Sequence, residues 1–293
     1  MRVGVYTRAL KNDLSVQTLK SVLSYLEELE FDILLHTHAF QCMGGKSHSG
    51  KDYGKLDACT LDNPNNPQWV ISIGGDGTIL DTLCIVRETG IPVLGINTGR
   101  LGFLAATSSQ HFKEAIDTYL QGSYVLDSRS LIALETSQKL FDFEYALNDF
   151  VIHKKDTSSM IRVHTYLNGA YFNSYWADGL ICSTPTGSTG YNLSCGGPIL
   201  YPKSSSFVIT PIAPHNLNVR PFVIPDDHVL AFEIEGRSSA YLAGLDARSR
   251  TLLPTVQMAV RKAPFTFNLI RLKDENFIHT LRNKMMWGLD SRN

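Results

Sequence analysis

The sequence predicts an α/β N-terminal domain built on a parallel sheet, then a mainly-β domain, then a C-terminal helix that packs back on the first domain. Three observations carry this. Strand-like and helix-like segments alternate up to about residue 122, short β-branched stretches broken by Gly, Pro and Asn take over after Tyr124, and helical spacing returns near the end. The expected boundaries are 1–122, 123–270 and 271–293.

Val3-Gly4-Val5-Tyr6 reads as a strand. Val16, Leu19, Val22, Leu23, Leu26 and Leu29 follow at three-to-four spacing, one apolar helix face, with Asp13 or Ser15 as its cap. Phe31 to Leu35 is a second strand, so the chain opens as strand, helix, strand, the unit of a parallel sheet. His36 and His38 would share one face if that strand continued, but no third metal ligand stands near them, and solvated strand-end histidines are expected. From Gln41 to Pro67 the sequence is polar and rich in Gly, Asn and Pro, which predicts a mobile loop.

Trp69-Val70-Ile71-Ser72-Ile73 is a near-continuous apolar strand, suited to burial on both faces. It runs into Gly74-Gly75-Asp76-Gly77-Thr78, after which Ile79, Leu80, Leu83 and Val86 continue at helical spacing, with Thr78 and Asp81 placed as a capping box. Pro92 to Ile96 is a further strand, leading to a second glycine-containing loop at 97–104. This repeated order is Rossmann-like. Tyr145 to Ile152, Ile161 to Leu167, Phe207 to Ile212, Val229 to Ile234 and Val256 to Arg261 read as antiparallel strands. The tail from Glu275 to Met286 carries Phe277, Ile278, Leu281 and Met285 on a helical face.

Composition narrows the partners. With 43 % hydrophobic and 19 % charged residues the 293-residue chain has a sizeable core, and its net charge of −1 provides no general attraction for polyanions. No nucleic-acid or membrane partner is expected, and any anion must be held by local geometry. The N-terminus lacks the stages of a signal peptide and no apolar run approaches about 18 residues, so the cytosol is the expected compartment. Five cysteines, an odd number without close pairing, read as reduced thiols.

Two segments carry chemistry. The turn at 74–78 joins a buried strand to a helix N-terminus, where free amides and the helix dipole favour phosphate. It has neither the Lys-Ser/Thr ending of a Walker loop nor the G-x-G-x-x-G spacing of a dinucleotide fingerprint. A carboxylate at the centre of an anion-holding turn suits a hydroxyl nucleophile, although a capped tight turn explains the same five residues. The run 178–191, DGLICSTPTGSTGY, leads from a strand into a loop of small hydroxyls and glycines that can donate to phosphate, ribose or base edges. A serine/threonine turn with a packing Tyr191 is the alternative.

Together the stretches GGDGT at 74–78, NTGRLGFLA at 97–105, ND at 148–149 and DGLICSTPTGSTGYNLSCGGP at 178–198, with APHNLNVRP at 213–221 more weakly, resemble the NAD kinase family. The resemblance implies transfer of the γ-phosphoryl group of ATP to the 2′-hydroxyl of the adenosine ribose of NAD. It implies Asp76 as proton acceptor, and Asp76 with Gly77 against NAD. Asn148 and Asp149 stand for the family's Asn-Glu pair, with a shorter acid at the second place. Asp178 would bond the dinucleotide, and Thr189, Gly190, Tyr191, Asn192, Leu193 and Ser194 would surround its adenosine. Gly74, Gly75, Thr78 and Arg100 are the expected ATP-phosphate contacts. Ser159, Trp176, where many relatives have arginine, and Arg248, in a turn where relatives often read Asp-Gly-Gln, are weaker candidates. No dedicated protein metal site is expected; Mg²⁺ would be held largely by phosphate and water. The resemblance further implies a homodimer or homotetramer.

Overall fold

A computed structural model describes residues 1–8, 13–43, 50, 52–99, 102–155, 160–273 and 276–285. The chain divides into two compact units, one made of 1–128 with 267–293 and the other of 129–266.

The first unit is a parallel sheet with helices. Its strands are β1 (Arg2–Thr7), β2 (Asp32–Leu35), β3 (Gly54–Lys55), β4 (Trp69–Ile73), β5 (Val93–Asn97), β6 (Thr107–Ser108), β7 (Tyr124–Arg129) and, from the far end of the chain, β20 (Phe267–Leu272). Their order is β3-β2-β1-β4-β5-β20-β7, with β6 also on β5. The pairs of β1 with β2 and β4, and of β5 with β4 and β20, are parallel. Every residue of β4 and β5 is buried, as a central strand covered on both faces requires. The apolar stripe of α1 (Asp13–Glu28) packs Leu19, Val22, Leu23 and Leu26 into the same core as Trp69, Ile71 and Ile96.

The second unit stacks two antiparallel sheets. One is ordered β15 (Phe222–Pro225), β14 (Ser206–Ile212), β13 (Gly179–Ser183), β10 (Asp149–Lys154), β17 (Tyr241–Leu245), β18 (Arg248–Leu252). The other is ordered β12 (Ala170–Ala177), β11 (Ile161–Leu167), β16 (Leu230–Glu235), β19 (Met258–Lys262), β8 (Ile132–Thr136), β9 (Tyr145–Ala146). Alternate residues such as Phe150, Ile152, Val163, Phe207 and Phe232 face inward and form one core, with Phe150 and Phe232 rings 5.9 Å apart.

Several expectations change. The expected boundaries at 122 and 270 shift because β7 and β20 pair into the first sheet, which holds 123–128 and 267–270 in the first unit. The 41–67 stretch is only partly a loop. It follows α2 (Thr37–Cys42) and contains β3, with Leu56 and Cys59 buried, while 44–49 and 51 lie outside the described residues. His36 and His38 are not on a strand: His36 caps α2 by accepting the His38 amide, and its ring meets Tyr6 at 4.8 Å. Ser15 donates to Thr98 rather than capping α1. The C-terminal helix α6 (Phe277–Met285) belongs to the first unit, where Leu281 is buried and the Phe277 ring lies 5.8 Å from Phe103.

Candidate active site

Strand β4 ends in the glycine turn, and α3 (Asp76–Val86) starts on it with Gly75 as N-cap. Gly74 adopts φ 152°, and a Cβ there would sit 2.2 Å from the Thr78 hydroxyl, so a side chain would be both strained and blocked. No side chain caps the helix, whose first amides remain directed out of its N-terminus. The expected capping box does not form, because the helix starts earlier, on Gly75, which leaves Thr78 and Asp81 inside it, and Asp81 turns to Arg8. It takes a two-pronged ion pair, with Arg8 Nη2 at 2.7 Å and Nε on the other oxygen, and it also accepts from Tyr6. Burial and the Asp81 carboxylate push the Tyr6 hydroxyl well above its ordinary pKa. The Arg8 guanidinium rests against Gly77, where a Cβ would meet Nη1 at 2.9 Å.

Asp76 is the centre of this region. Its Oδ1 accepts the amides of Leu104 and Ala105 at 2.9 and 3.1 Å, and its Oδ2 accepts that of Phe103 at 2.8 Å. Gly102 lets this loop close on the carboxylate: a Cβ on it would lie 1.9 Å from Oδ1. The loop is braced from behind. Asn97 donates to the Ala105 carbonyl and accepts the Gly99 amide, while buried Arg271 of β20 donates to the Phe103 carbonyl at 2.7 Å and faces Asp127. Oδ2 also lies 3.6 Å from Lys284 Nζ of α6. A carboxylate has about four acceptor positions, so the three amides fix its orientation and, among the described residues, leave one position on Oδ2, the oxygen near Lys284.

In the second unit β13 leads into a loop that folds on itself. Thr184 donates to the Leu147 carbonyl, Ser183 to that of Asn148, and Ser188 to that of Pro185. A short 3-10 turn at Gly187–Thr189 gives way to α5 (Tyr191–Ser194). Asn192 is entirely buried; its amide donates to the Ser188 and Pro198 carbonyls and its oxygen accepts from Thr210. Thr189 Oγ1 reaches the Thr186 carbonyl at only 3.3 Å, and Tyr191 and Ser194 are exposed.

Beside this loop Asn148 keeps a buried Oδ1 with no hydrogen-bond partner, and its Nδ2 lies 3.6 Å from the Cβ position of Gly190. Asp149 is buried, and desolvation followed by the nearby Asp246 pushes its carboxyl up to about 8, so it carries its proton at neutral pH. Burial also raises Asp246, opposed by the amides of Leu147, Asn148 and Asp149 that its oxygens accept. Asp246 sits at φ 53° in the two-residue turn between β17 and β18, a conformation that aspartate tolerates well. The Tyr191 hydroxyl is raised by burial and then by Cys195, Asp149 and Asp178, which places these groups within electrostatic range of one another.

Two family models match the chain, the ATP-NAD kinase N-terminal domain over residues 17–124 and the ATP-NAD kinase C-terminal domain over 147–272. The chain belongs to the NAD kinase family. It is 51% identical over 228 residues, 78% of each chain, to an NAD kinase of Cytophaga hutchinsonii. Against an NAD kinase of Christiangramia forsetii it is 40% identical over 297 residues, the whole of both chains. Among solved structures it resembles a yeast NADH kinase complexed with NADH, with TM-score 0.84, 19% identity and coverage of 99% of this chain and 89% of that one. An Archaeoglobus fulgidus NAD kinase in complex with ATP gives 0.76 at 23% identity, covering 98% and 99%. These structural likenesses establish the fold.

The two NAD kinase units therefore gather the expected residues in two groups. Asp76, Gly74, Gly75, Gly77 and Thr78 stand together in the first; Asn148, Asp149, Thr189, Gly190 and Tyr191 in the second. Asn192 is a bracket inside the loop: it is fully buried, and both amide hydrogens and one lone pair of its oxygen are taken within the protein. Arg248 is likewise committed, donating to the Phe143, Tyr145 and Leu245 carbonyls, so it is neither a free cation nor a solvated surface residue. Asp178 is paired with Lys154 at 2.6 Å, and the half-exposed Trp176 ring carries Arg162 at 4.8 Å. Arg100 and Ser159 lie outside the described residues. Sequence reasoning missed Arg8, Arg271 and Lys284. Arg8 follows the first strand just as the glycine turn follows β4, which was a readable signal; the other two depend on the return of the chain to the first unit.

Proposed function

We propose that this chain phosphorylates NAD with ATP, with Asp76 at the reacting hydroxyl. The activity is that of its family; the residue assignments are our reading. In it, the turn 74–78 and the free amides of α3 receive the phosphates of ATP, with Thr78 and Gly75 lining the approach. Asn148 Oδ1 accepts from a ribose hydroxyl, protonated Asp149 donates, Tyr191 offers a ring face, and Thr189, Gly190 and Asp178 complete the dinucleotide contacts.

The observation that carries the catalytic assignment is the fixing of Asp76 by three backbone amides at the first turn of α3, with one acceptor direction left over. In the step, the 2′-oxygen forms a bond to the γ-phosphorus as the bond to the β-bridging oxygen breaks with its electron pair on ADP. The hydroxyl proton passes to Asp76 and then to solvent. The transition state is loose, so alignment and charge neutralisation count for more than basicity.

Among the described residues no group of three or more His, Cys, Asp or Glu stands ready for a metal, and Asp81 is taken by Arg8. A Mg²⁺ that arrives on ATP would be held by phosphate and water, and would spread phosphate charge when bound. A cytoplasmic setting and a homodimer or homotetramer complete the proposal; no helix among the described residues is long and apolar enough to cross a membrane.

The test is direct. Purified protein incubated with NAD, ATP and Mg²⁺ is expected to form NADP and ADP in equal amounts. Binding of NAD without turnover would mark a sensor instead, and phosphorylation of a lipid or sugar but not NAD would mark another kinase with the same turn.

A further inference from the structure

We propose that Lys284 of the C-terminal helix is a catalytic residue whose ammonium contacts the phosphoryl group as it passes from ATP to the acceptor hydroxyl. The inference rests on the reading of Asp76 as the carboxylate at that hydroxyl.

Lys284 Nζ lies 3.6 Å from Asp76 Oδ2, the oxygen that accepts one of the three loop amides while Oδ1 accepts two. It therefore occupies the approach by which a hydroxyl reaches Asp76. A nucleophilic oxygen seated there has its target phosphorus about 3–3.5 Å away, within reach of a four-carbon stem that is 37% exposed. When the hydroxyl takes its place on Oδ2, the ammonium has the phosphoryl oxygens as its next partners.

The placement is built rather than incidental. The ammonium sits 4.6 Å from the Phe103 ring centroid, a cation–π contact. That ring packs on Phe277 of the same helix, its carbonyl is held by Arg271, and its amide is one of the three on Asp76. Leu281, between the two contacts along α6, is buried and fixes the helix. The turn at 74–78 has no lysine of its own, and among the described residues the Arg8 guanidinium beside Gly77 is bound to both oxygens of Asp81. A lysine acts on phosphate as a point charge, which suits the dispersed charge of a loose transition state. The hydroxyl proton goes to Asp76 and the leaving electron pair to ADP.

The experiment compares Lys284→Met, which keeps the stem on Phe103 and removes the charge, with Lys284→Arg and the unaltered chain in the NADP assay. In Lys284→Met kcat is expected to fall by about 10²–10³, as for loss of one transition-state donor, with KM for NAD and the melting temperature unchanged. Lys284→Arg should recover most of kcat, and added methylammonium should partly rescue Lys284→Ala. An active unaltered chain with Lys284→Met within about threefold of it in kcat overturns the role of Lys284 and leaves the kinase reading intact. An unaltered chain that makes no NADP overturns both.

Discussion

The two site regions spend their polar groups in opposite ways. Around Asp76 the first unit turns backbone amides from a distant loop onto a single carboxylate, so that one functional atom is oriented by many structural ones. In the second unit the hydroxyl-rich loop at 183–192 bonds mainly to itself and to its neighbours, while beside it the buried Asn148 Oδ1 has no partner and Tyr191 is exposed. A dense run of hydroxyls is thus first a way of building a rigid loop. Its ligand contacts come from the few members that the loop does not use.

That contrast can be broken at its strongest point, Gly102. Gly102→Ala places a methyl group where the Asp76 carboxylate lies, and the account expects kcat to fall by about 10²-fold or more through displacement of the carboxylate. The accompanying strain should cost roughly 1–3 kcal/mol of stability, read by denaturant melts. An active, stable Gly102→Ala enzyme would show that the amide cradle is dispensable.

Asn192 and Asn148 sharpen the comparison as a pair. Asn192→Ala strips partners from Thr210 and two carbonyls and is expected to destabilise by about 1–3 kcal/mol. Asn148→Ala loses an oxygen that has no partner in the protein, so the melting temperature should stay near that of the parent while KM for NAD rises about tenfold, the value of one ribose hydrogen bond. If the two variants behaved alike, the division between bracket and ligand contact would not hold.

Asp149 gives a pH signature. Its folded-state pKa, about 8, lies above the unfolded carboxyl value of 3.8, so its contribution to stability is full below pH 3.8 and is lost as pH rises through the window up to about 8. Asp149→Asn should remove that decline, so that the variant gains stability over the parent progressively from about pH 4 to about pH 8, while weakening NAD binding. Parallel stability–pH curves for parent and variant would contradict the buried, protonated state. The smallest effect is expected at Arg248→Met. Loss of its three carbonyl bonds should lower the melting temperature and leave KM for both substrates in place.

Much of this was legible in the residues. The buried run 69–73 followed by glycines announced a strand feeding a helix, and the 178–198 run named the family. What stayed hidden was long-range. No local pattern says that 267–272 returns to the first sheet, which is why Arg271 could not be placed there, and the expected return of the C-terminal helix did not say which of its residues would meet Asp76. Asp81 was misread for a related reason: it is a plausible cap on its own, and only the fold shows that Arg8 claims it, just as only the fold shows Asn192 bonded to Thr210 and two carbonyls.

The central claim is that Asp76 handles the proton of the attacking ribose hydroxyl. It is tested most directly by Asp76→Asn, assayed for NADP formation from NAD, ATP and Mg²⁺ alongside NAD binding and a melting curve. The account predicts a folded protein that still binds NAD and turns over about 10²–10⁴ times more slowly. Turnover near that of the parent, from a folded NAD-binding variant, would contradict it.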